Sequence, residues 1–305
     1  MKFAQLTKMT EDEARHYLEG IRWPNGPVCA HCGSTEVTKL QGKATRPGVY
    51  KCKSKECRKK FTVTVNTIFE KSHIAIRNWA MAFHLMCASK KGISAHQLHR
   101  MIGITYKSAW FMCHRIRHAM TEGMDKPMTG VVEADETYVG GKPRYHKRRD
   151  QQKEMGRATP KAPVLVLVER DGRAVCRPVA DVSTEELRKH VVENVSPEAK
   201  FMTDEWPAYN RIGRSMIGGH YQVNHGKKEY ARMSPDGTNV NTNTAESFFA
   251  LLKRGHYGTF HKMSKHHLHR YCTEFAFRWT RRKMSDGERM IEAIRGAEGK
   301  RLTYR

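Results

Sequence analysis

The chain has 305 residues, with 55 Lys and Arg against 31 Asp and Glu, a net charge of +24 and a pI near 9.9. Hydrophobic residues make up 39%, enough for the core of one large domain or two to three small ones. The charge points to a polyanionic partner, nucleic acid ahead of an anionic membrane; no apolar run approaches ~18 residues and Met1-Lys2-Phe3-Ala4-Gln5 has no apolar core, so neither a membrane span nor a secretory leader is expected and the protein is placed in the cytoplasm.

Thr10-Glu11-Asp12-Glu13 is a capping box that opens a short helix running to about Gly20. Cys29-x2-Cys32, nineteen residues, and Cys52-x4-Cys57 follow. Two cysteine pairs at this separation fit a zinc ribbon, in which four thiolates hold one structural Zn²⁺ and leave no position for a substrate. Lys51, Lys53 and Lys55 surround the second pair and favour ionised thiols. Phe61-Thr62-Val63-Thr64-Val65 alternates as a strand that would close the ribbon. The other four of the eight cysteines are scattered singly, which argues against a disulfide framework.

Helical periodicity runs from about Ile74 to Ser89, with Ile76, Trp79, Ala80, Phe83 and Cys87 on one face. Ser94-Ala95-His96-Gln97 caps a second helix with Leu98 and Met101 inward, Gly103 turns the chain, and Thr105 caps a third with Trp110, Cys113, Ile116 and Met120 inward. Two helices joined at a glycine, the second basic, describe a helix-turn-helix. Lys107, Arg115 and Arg117 are its candidate DNA contacts. A polar linker, residues 121–129, then marks a domain boundary.

Val131-Val132-Glu133-Ala134-Asp135-Glu136-Thr137-Tyr138-Val139 reads as an apolar strand carrying a carboxylate at its centre. A buried unpaired carboxylate is unfavourable, so Asp135 needs a cation or a catalytic task. Glu133 shares its face by alternation and Glu136 points to the other. After Gly140-Gly141 the chain is rich in Lys, Arg, Gln, Gly and Pro up to Pro163, a basic loop in which Lys142 and Arg144 could lie along phosphates. Val164–Val168 has the continuous apolar character of a central strand, Asp171-Gly172 is a hairpin turn, and residues 174–179 return beside it. Ser183 or Thr184 caps a helix, Phe201-Met202-Thr203-Asp204 is another strand, and Tyr221-Gln222-Val223 a short one. From Ala245 the chain is helical through Lys253, and Ser264 caps a last long helix bearing Leu268, Tyr271, Phe275 and Trp279. The tail from Lys283 is polar and is expected to fray.

Three acids stand out by the elements that carry them: Asp135 on a strand, Asp204 at the end of a later strand, Glu246 near the start of a helix. Adjacent parallel strands could bring the two aspartates side by side. Three converging carboxylates require cations between them, and hard oxygen ligands with room for phosphate suit Mg²⁺ or Mn²⁺. Two such ions about 4 Å apart support in-line displacement at phosphorus. Lys253 lies two helical turns after Glu246 on the same face and could contact a DNA phosphate, with Arg254 beside it. A separate zinc site among His256, His261, His266, His267 and His269 is an alternative, a histidine-rich DNA-facing helix the simpler reading.

The chain resembles insertion-sequence transposases of the zinc-ribbon DDE group related to the eukaryotic Merlin elements, with an ISXO2-like transposase domain. The resemblance rests on the four cysteines, on Thr67-Ile68-Phe69, on Gly92-Ile93-Ser94 with Gln97-Leu98, on Ala109-Trp110 and Arg115-Ile116-Arg117, on Glu133 through Lys142, on Thr203-Asp204-Glu205 with Tyr209, and on Asn243 through Gly255 and onward to Arg278. It implies an α/β (α+β multidomain) chain: an N-terminal helix plus zinc ribbon over residues 1–70, a helix-turn-helix over 71–125, an RNase H-like, retroviral-integrase-like catalytic domain over 126–283, and a C-terminal tail over 284–305. It further implies that Asp135, Asp204 and Glu246 bind two Mg²⁺ ions, that Lys253 positions phosphate, and that the active complex on double-stranded DNA, element ends and target alike, is at least a homodimer. Such a protein would be prokaryotic and nucleoid-associated. Two positions depart from the family pattern: Asn241 where His is frequent before the Thr-Asn pair, and Phe249 where Trp is frequent after the glutamate. Some relatives use Asn as third acid equivalent, which makes Asn243 a rival to Glu246. The expected activity is cleavage at terminal inverted repeats followed by strand transfer, the alternatives being a non-catalytic DNA-binding regulator and a metal-dependent nuclease without strand transfer.

Overall fold

The computed structural model describes residues 1–121, 123, 126–141 and 161–303. The chain divides into two compact units, Met1–Thr121 with Arg282–Arg305, and Glu122–Arg281.

The first unit begins with α1 (Phe3–Leu6) and α2 (Glu11–Arg22). Thr10 and Glu13 form the reciprocal capping box expected of them, the Thr10 amide donating to Glu13 at 2.7 Å. A three-stranded antiparallel ribbon follows, β1 (Val37–Lys39), β2 (Tyr50–Cys52) and β3 (Lys60–Phe61). The alternating run from Phe61 to Val65 is expected to extend as a strand, yet the ladder stops at Phe61. Beyond it the Val65 amide donates to the Thr62 carbonyl and the Thr67 hydroxyl to the Thr64 carbonyl, so local turns replace strand pairing.

Three helices complete the N-terminal part: α3 (Ile76–Ala88), α4 (Ala95–Ile102) and α5 (Tyr106–Ala119). The hydroxyls of Ser94 and Thr105 cap α4 and α5 by accepting from the amides of Gln97 and Ser108. Between them Gly103 takes φ +71°, the left-handed conformation that lets its amide close on the His99 carbonyl. Leu98 and Ile102 are the buried residues of α4, whereas Met101, expected inward, is 47% exposed.

In the second unit β4 (Val131–Val139), β5 (Ala162–Glu169) and β6 (Ala174–Pro178) form an antiparallel meander. After α6 (Thr184–Asn194), β7 (Lys200–Thr203) pairs parallel to β4; after α7 (Ala208–Gly213), β8 (His220–Gln222) pairs parallel to β7. The sheet order is β6-β5-β4-β7-β8, the mixed five-stranded sheet of an RNase H-like fold. A hairpin, β9 (Ala231–Met233) and β10 (Asn239–Asn241), leads into α8 (Asn243–Gly255), and α9 (Leu268–Thr280) follows. Alternation along β4 sorts its side chains: Val132 and Ala134 join the α6–α7 core, while Val139 joins the core beneath α8 and α9.

The polar tail does not fray as expected. Ser285 caps α10 (Asp286–Arg295) through a second reciprocal box with Glu288, and Met290, Ala293 and Ile294 are buried in the first unit, where α10 contacts α2, α3 and α5. Apolar residues at that spacing give the segment an inward stripe despite its charge.

Candidate active site and metal centre

The register between β4 and β7 fixes the first two acids. Val131 pairs with Lys200 and Glu133 with Met202, and this register, continued two residues, sets Asp135 opposite Asp204, just past the end of β7. Residues opposite each other in a sheet point to one face, here the face that carries α8. Glu246 lies in the first turn of α8. Asp135 is pushed up to about 8, mainly by burial and then by the charge of Glu136, with Asp204 and Glu246 adding to the effect and the Glu136 amide opposing it through a 2.7 Å bond to Oδ1. Asp204 Oδ1 accepts from the Trp206 amide at 3.0 Å, which holds the turn after β7.

The three carboxylates share one electrostatic site without closing on each other: among the described residues only four cysteines have ligand atoms all within 4.8 Å. Glu246 is exposed and its Oε1 lies 3.9 Å from His225 Nε2. The donor set is one of hard oxygens, and burial with the neighbouring acids Glu136, Asp204 and Glu246 raises the Asp135 carboxyl. Both features fit a divalent cation. Asn243 heads α8, exposed, its amide donating to Asn241 Oδ1. Asn241 is buried and joins this turn to Asn239 through Nδ2.

Several residues around the site escape a reading by spacing. Glu133, fully buried, accepts from the amides of Thr244 and Ala245, the Thr244 hydroxyl and Arg170. Glu205 accepts from the amides of His225 and Gly226 and so seats His225 beside Glu246. Glu136 points to the opposite face, as alternation requires, where Tyr209 donates to it at 3.0 Å. Alternation gives the faces of Glu133 and Glu136, and Glu205 adjoins Asp204, but their hydrogen-bond partners lie many residues away.

The second cluster is in the ribbon. Cys29 and Cys57 sulfurs lie 3.8 Å apart, Cys32 and Cys52 3.6 Å, and all four fall within 4.8 Å of one another. Tetrahedral Zn–S bonds near 2.3 Å place sulfurs about 3.8 Å apart, so the two measured separations and the compact cluster fit a Zn²⁺ site. The histidines of residues 256–269 form no such group among the described residues.

Comparison with known proteins matches the two parts of the chain that carry these clusters. The pattern of the ISXO2-like transposase domain matches residues 127–280, and that of the transposase zinc-ribbon domain matches residues 9–60. The chain belongs to the ISXO2-like transposase family. An uncharacterized protein in transposable element ISH50 of Halobacterium salinarum is 28% identical over 260 residues, 81% of this chain and 84% of the relative.

Within this ISXO2-like transposase the candidate DNA contacts divide. Lys107 is exposed at the start of α5, and Lys253 and Arg254 are exposed on α8. Arg115 and Arg117 do not face outward as expected: both are buried. Arg115 donates to the carbonyls of Ile68 and Glu70 and stacks on Phe111. The physical reason is that α5 touches α3, α4 and α10, which leaves little of its circumference open; long basic side chains there serve internal carbonyls. Lys142 and Arg144 lie outside the described residues. No helix among the described residues is long and apolar enough to cross a membrane.

Proposed function

We propose that this chain is a DNA transposase which binds the terminal inverted repeats of its insertion sequence and performs metal-dependent cleavage and strand transfer. The observation that carries this reading is the level placement of Asp135 and Asp204 on parallel strands, with Glu246 on α8 contributing to the same field. Asp135, Asp204 and Glu246 would hold two Mg²⁺ or Mn²⁺ ions, which supply activation of the attacking oxygen and neutralise charge at the leaving one. Water attacks phosphorus at the element end and the P–O3′ bond breaks, leaving a 3′-hydroxyl. That hydroxyl then attacks a target phosphorus and displaces the target's own 3′-oxygen. Lys253, exposed two turns beyond Glu246, positions the phosphate, with Arg254 beside it. Residues 1–70 and 71–125, the zinc ribbon with one structural Zn²⁺ and the helix-turn-helix led by Lys107, bind the element ends as parts of a homodimer or larger assembly.

The test is to incubate the protein with a labelled end fragment and a plasmid, in Mg²⁺ or in EDTA. Joined products in Mg²⁺ alone support the transposase. Cuts without joining indicate a nuclease, and a mobility shift without cutting a DNA-binding regulator.

A further inference from the structure

We infer that Glu133 is a positioning residue that locks the helix bearing Glu246 to the strand bearing Asp135; this rests on the catalytic reading above. Three observations converge on it. First, α8 begins without a side-chain cap, since Thr242 accepts no bond from the first turn. The amides that a cap would satisfy donate instead to Glu133 Oε2, Thr244 at 2.7 Å and Ala245 at 2.9 Å. A carboxylate there also meets the positive end of the helix dipole. Second, the other oxygen is occupied: Glu133 Oε1 accepts from the Thr244 hydroxyl at 2.8 Å and from Arg170 Nε at 2.6 Å. With four donors on two oxygens and no exposure, Glu133 is saturated and is not itself a metal ligand. Third, the remaining guanidinium nitrogens of Arg170 donate to the carbonyls of Asn239, at 2.7 Å, and Asn241, at 3.0 Å, so the strand leading into α8 is fixed to the same point.

The consequence is geometric. Glu133 is two residues before Asp135 on the same face of β4, and Ala245, whose amide it binds, is the residue before Glu246. One side chain therefore sets the separation between two proposed ligands that lie 111 residues apart in sequence. A displacement on the order of 1 Å in such a frame is enough to weaken a site strongly.

The test compares Glu133→Gln, Thr244→Val and Asp135→Asn with the parent chain. Mn²⁺ binding is followed by calorimetry, and amide hydrogen exchange at residues 244–246 is followed alongside it. Gln keeps the shape but turns a donor toward donors; Val removes only the hydroxyl contact and serves if the Gln variant does not fold. The inference expects Mn²⁺ affinity to fall about tenfold or more in Glu133→Gln and a few-fold in Thr244→Val, with faster exchange confined to the start of α8. If folded Glu133→Gln, or Thr244→Val in its place, binds Mn²⁺ as the parent does while Asp135→Asn does not, Glu133 is only a core group and the inference is overturned with the catalytic reading intact. If Asp135→Asn still binds Mn²⁺ and cleaves element ends, the catalytic reading fails and the inference with it.

Discussion

Asp135 and Asp204 each lie two residues beyond the paired Glu133 and Met202 of the parallel strands β4 and β7, so the register, continued past the end of β7, sets them opposite each other. Replacing Asp135 by Asn keeps the shape and removes the charge that a cation would need. Strand cleavage should drop by a factor on the order of 10² to 10³ or more, while a gel shift with element-end DNA stays unchanged. Cleavage in Mg²⁺ by the variant at the parent rate would sink the assignment.

Asp135 also predicts how the chain without metal responds to pH. Its carboxyl, ordinarily at 3.8, is held near about 8 in the fold by burial and neighbouring acids. An unfolded chain releases that proton near pH 4 and the folded chain only near pH 8, so stability falls as pH rises across that window and is level above it. In EDTA the Asp135→Asn variant should be the more stable protein at pH 8, by at most a few kcal/mol, and the two should converge near pH 4. Mg²⁺ should raise the parent's Tm at pH 8 and leave the variant's Tm alone. Thermal melts at the two pH values, with and without Mg²⁺, decide it.

Periodicity and spacing carried the central strands of the second unit, the capped helices and the cysteine set, because each rests on residues close in sequence: Thr10 with Glu13, Ser94 with Gln97, Cys29 with Cys32. A pairing of Asp135 with Asp204 is suggested by sequence, one aspartate within a strand and one ending another, and the β4–β7 register, continued two residues past Glu133 and Met202, leads toward the same pair. What sequence could not carry were side chains whose partners are remote. Arg115 looks like a surface cation until the carbonyls of Ile68 and Glu70 are found in front of it. His225 reaches Glu246 only because Glu205 holds its turn. The C-terminal segment reads as polar, yet its few apolar residues recur at helical spacing and are buried in α10.

His220 on β8 makes a second pH prediction with the opposite sign. Burial lowers its imidazole from 6.5 to about 4. A Cβ at Gly213 would lie 1.9 Å from Nδ1, so the ring rests on α7. The Thr203 hydroxyl donates to the Asp204 carbonyl and stands 2.9 Å from His220 Nε2, so Nε2 carries the proton and donates to it. A neutral buried histidine supports the fold fully above pH 6.5. That support is lost as pH falls toward 4, because the unfolded chain takes up a proton first. The loss should be on the order of 2 kcal/mol, allowing for the ring's partial exposure. His220→Gln should flatten the slope between pH 6.5 and 4 in denaturant titrations; an unchanged slope would remove His220 as its source.

The ribbon gives the last prediction. Its core is thin: three short strands and the rings of Trp23, Tyr50 and Phe61, with Trp23 edge-on to the other two at 5.4 and 5.9 Å. So small a sheet depends on a cross-link, and the four sulfurs cluster within 4.8 Å of one another, close to the spacing zinc requires. The purified protein should carry one zinc per chain, measured by atomic absorption. Cys52→Ser, which removes a fully buried ligand, should lower that content at least tenfold and abolish binding to element-end DNA. The same variant should keep the cooperative melt of the unit Glu122–Arg281, whose core contains none of the four cysteines. Full zinc content in Cys52→Ser would show that the ribbon cysteines are not the ligands.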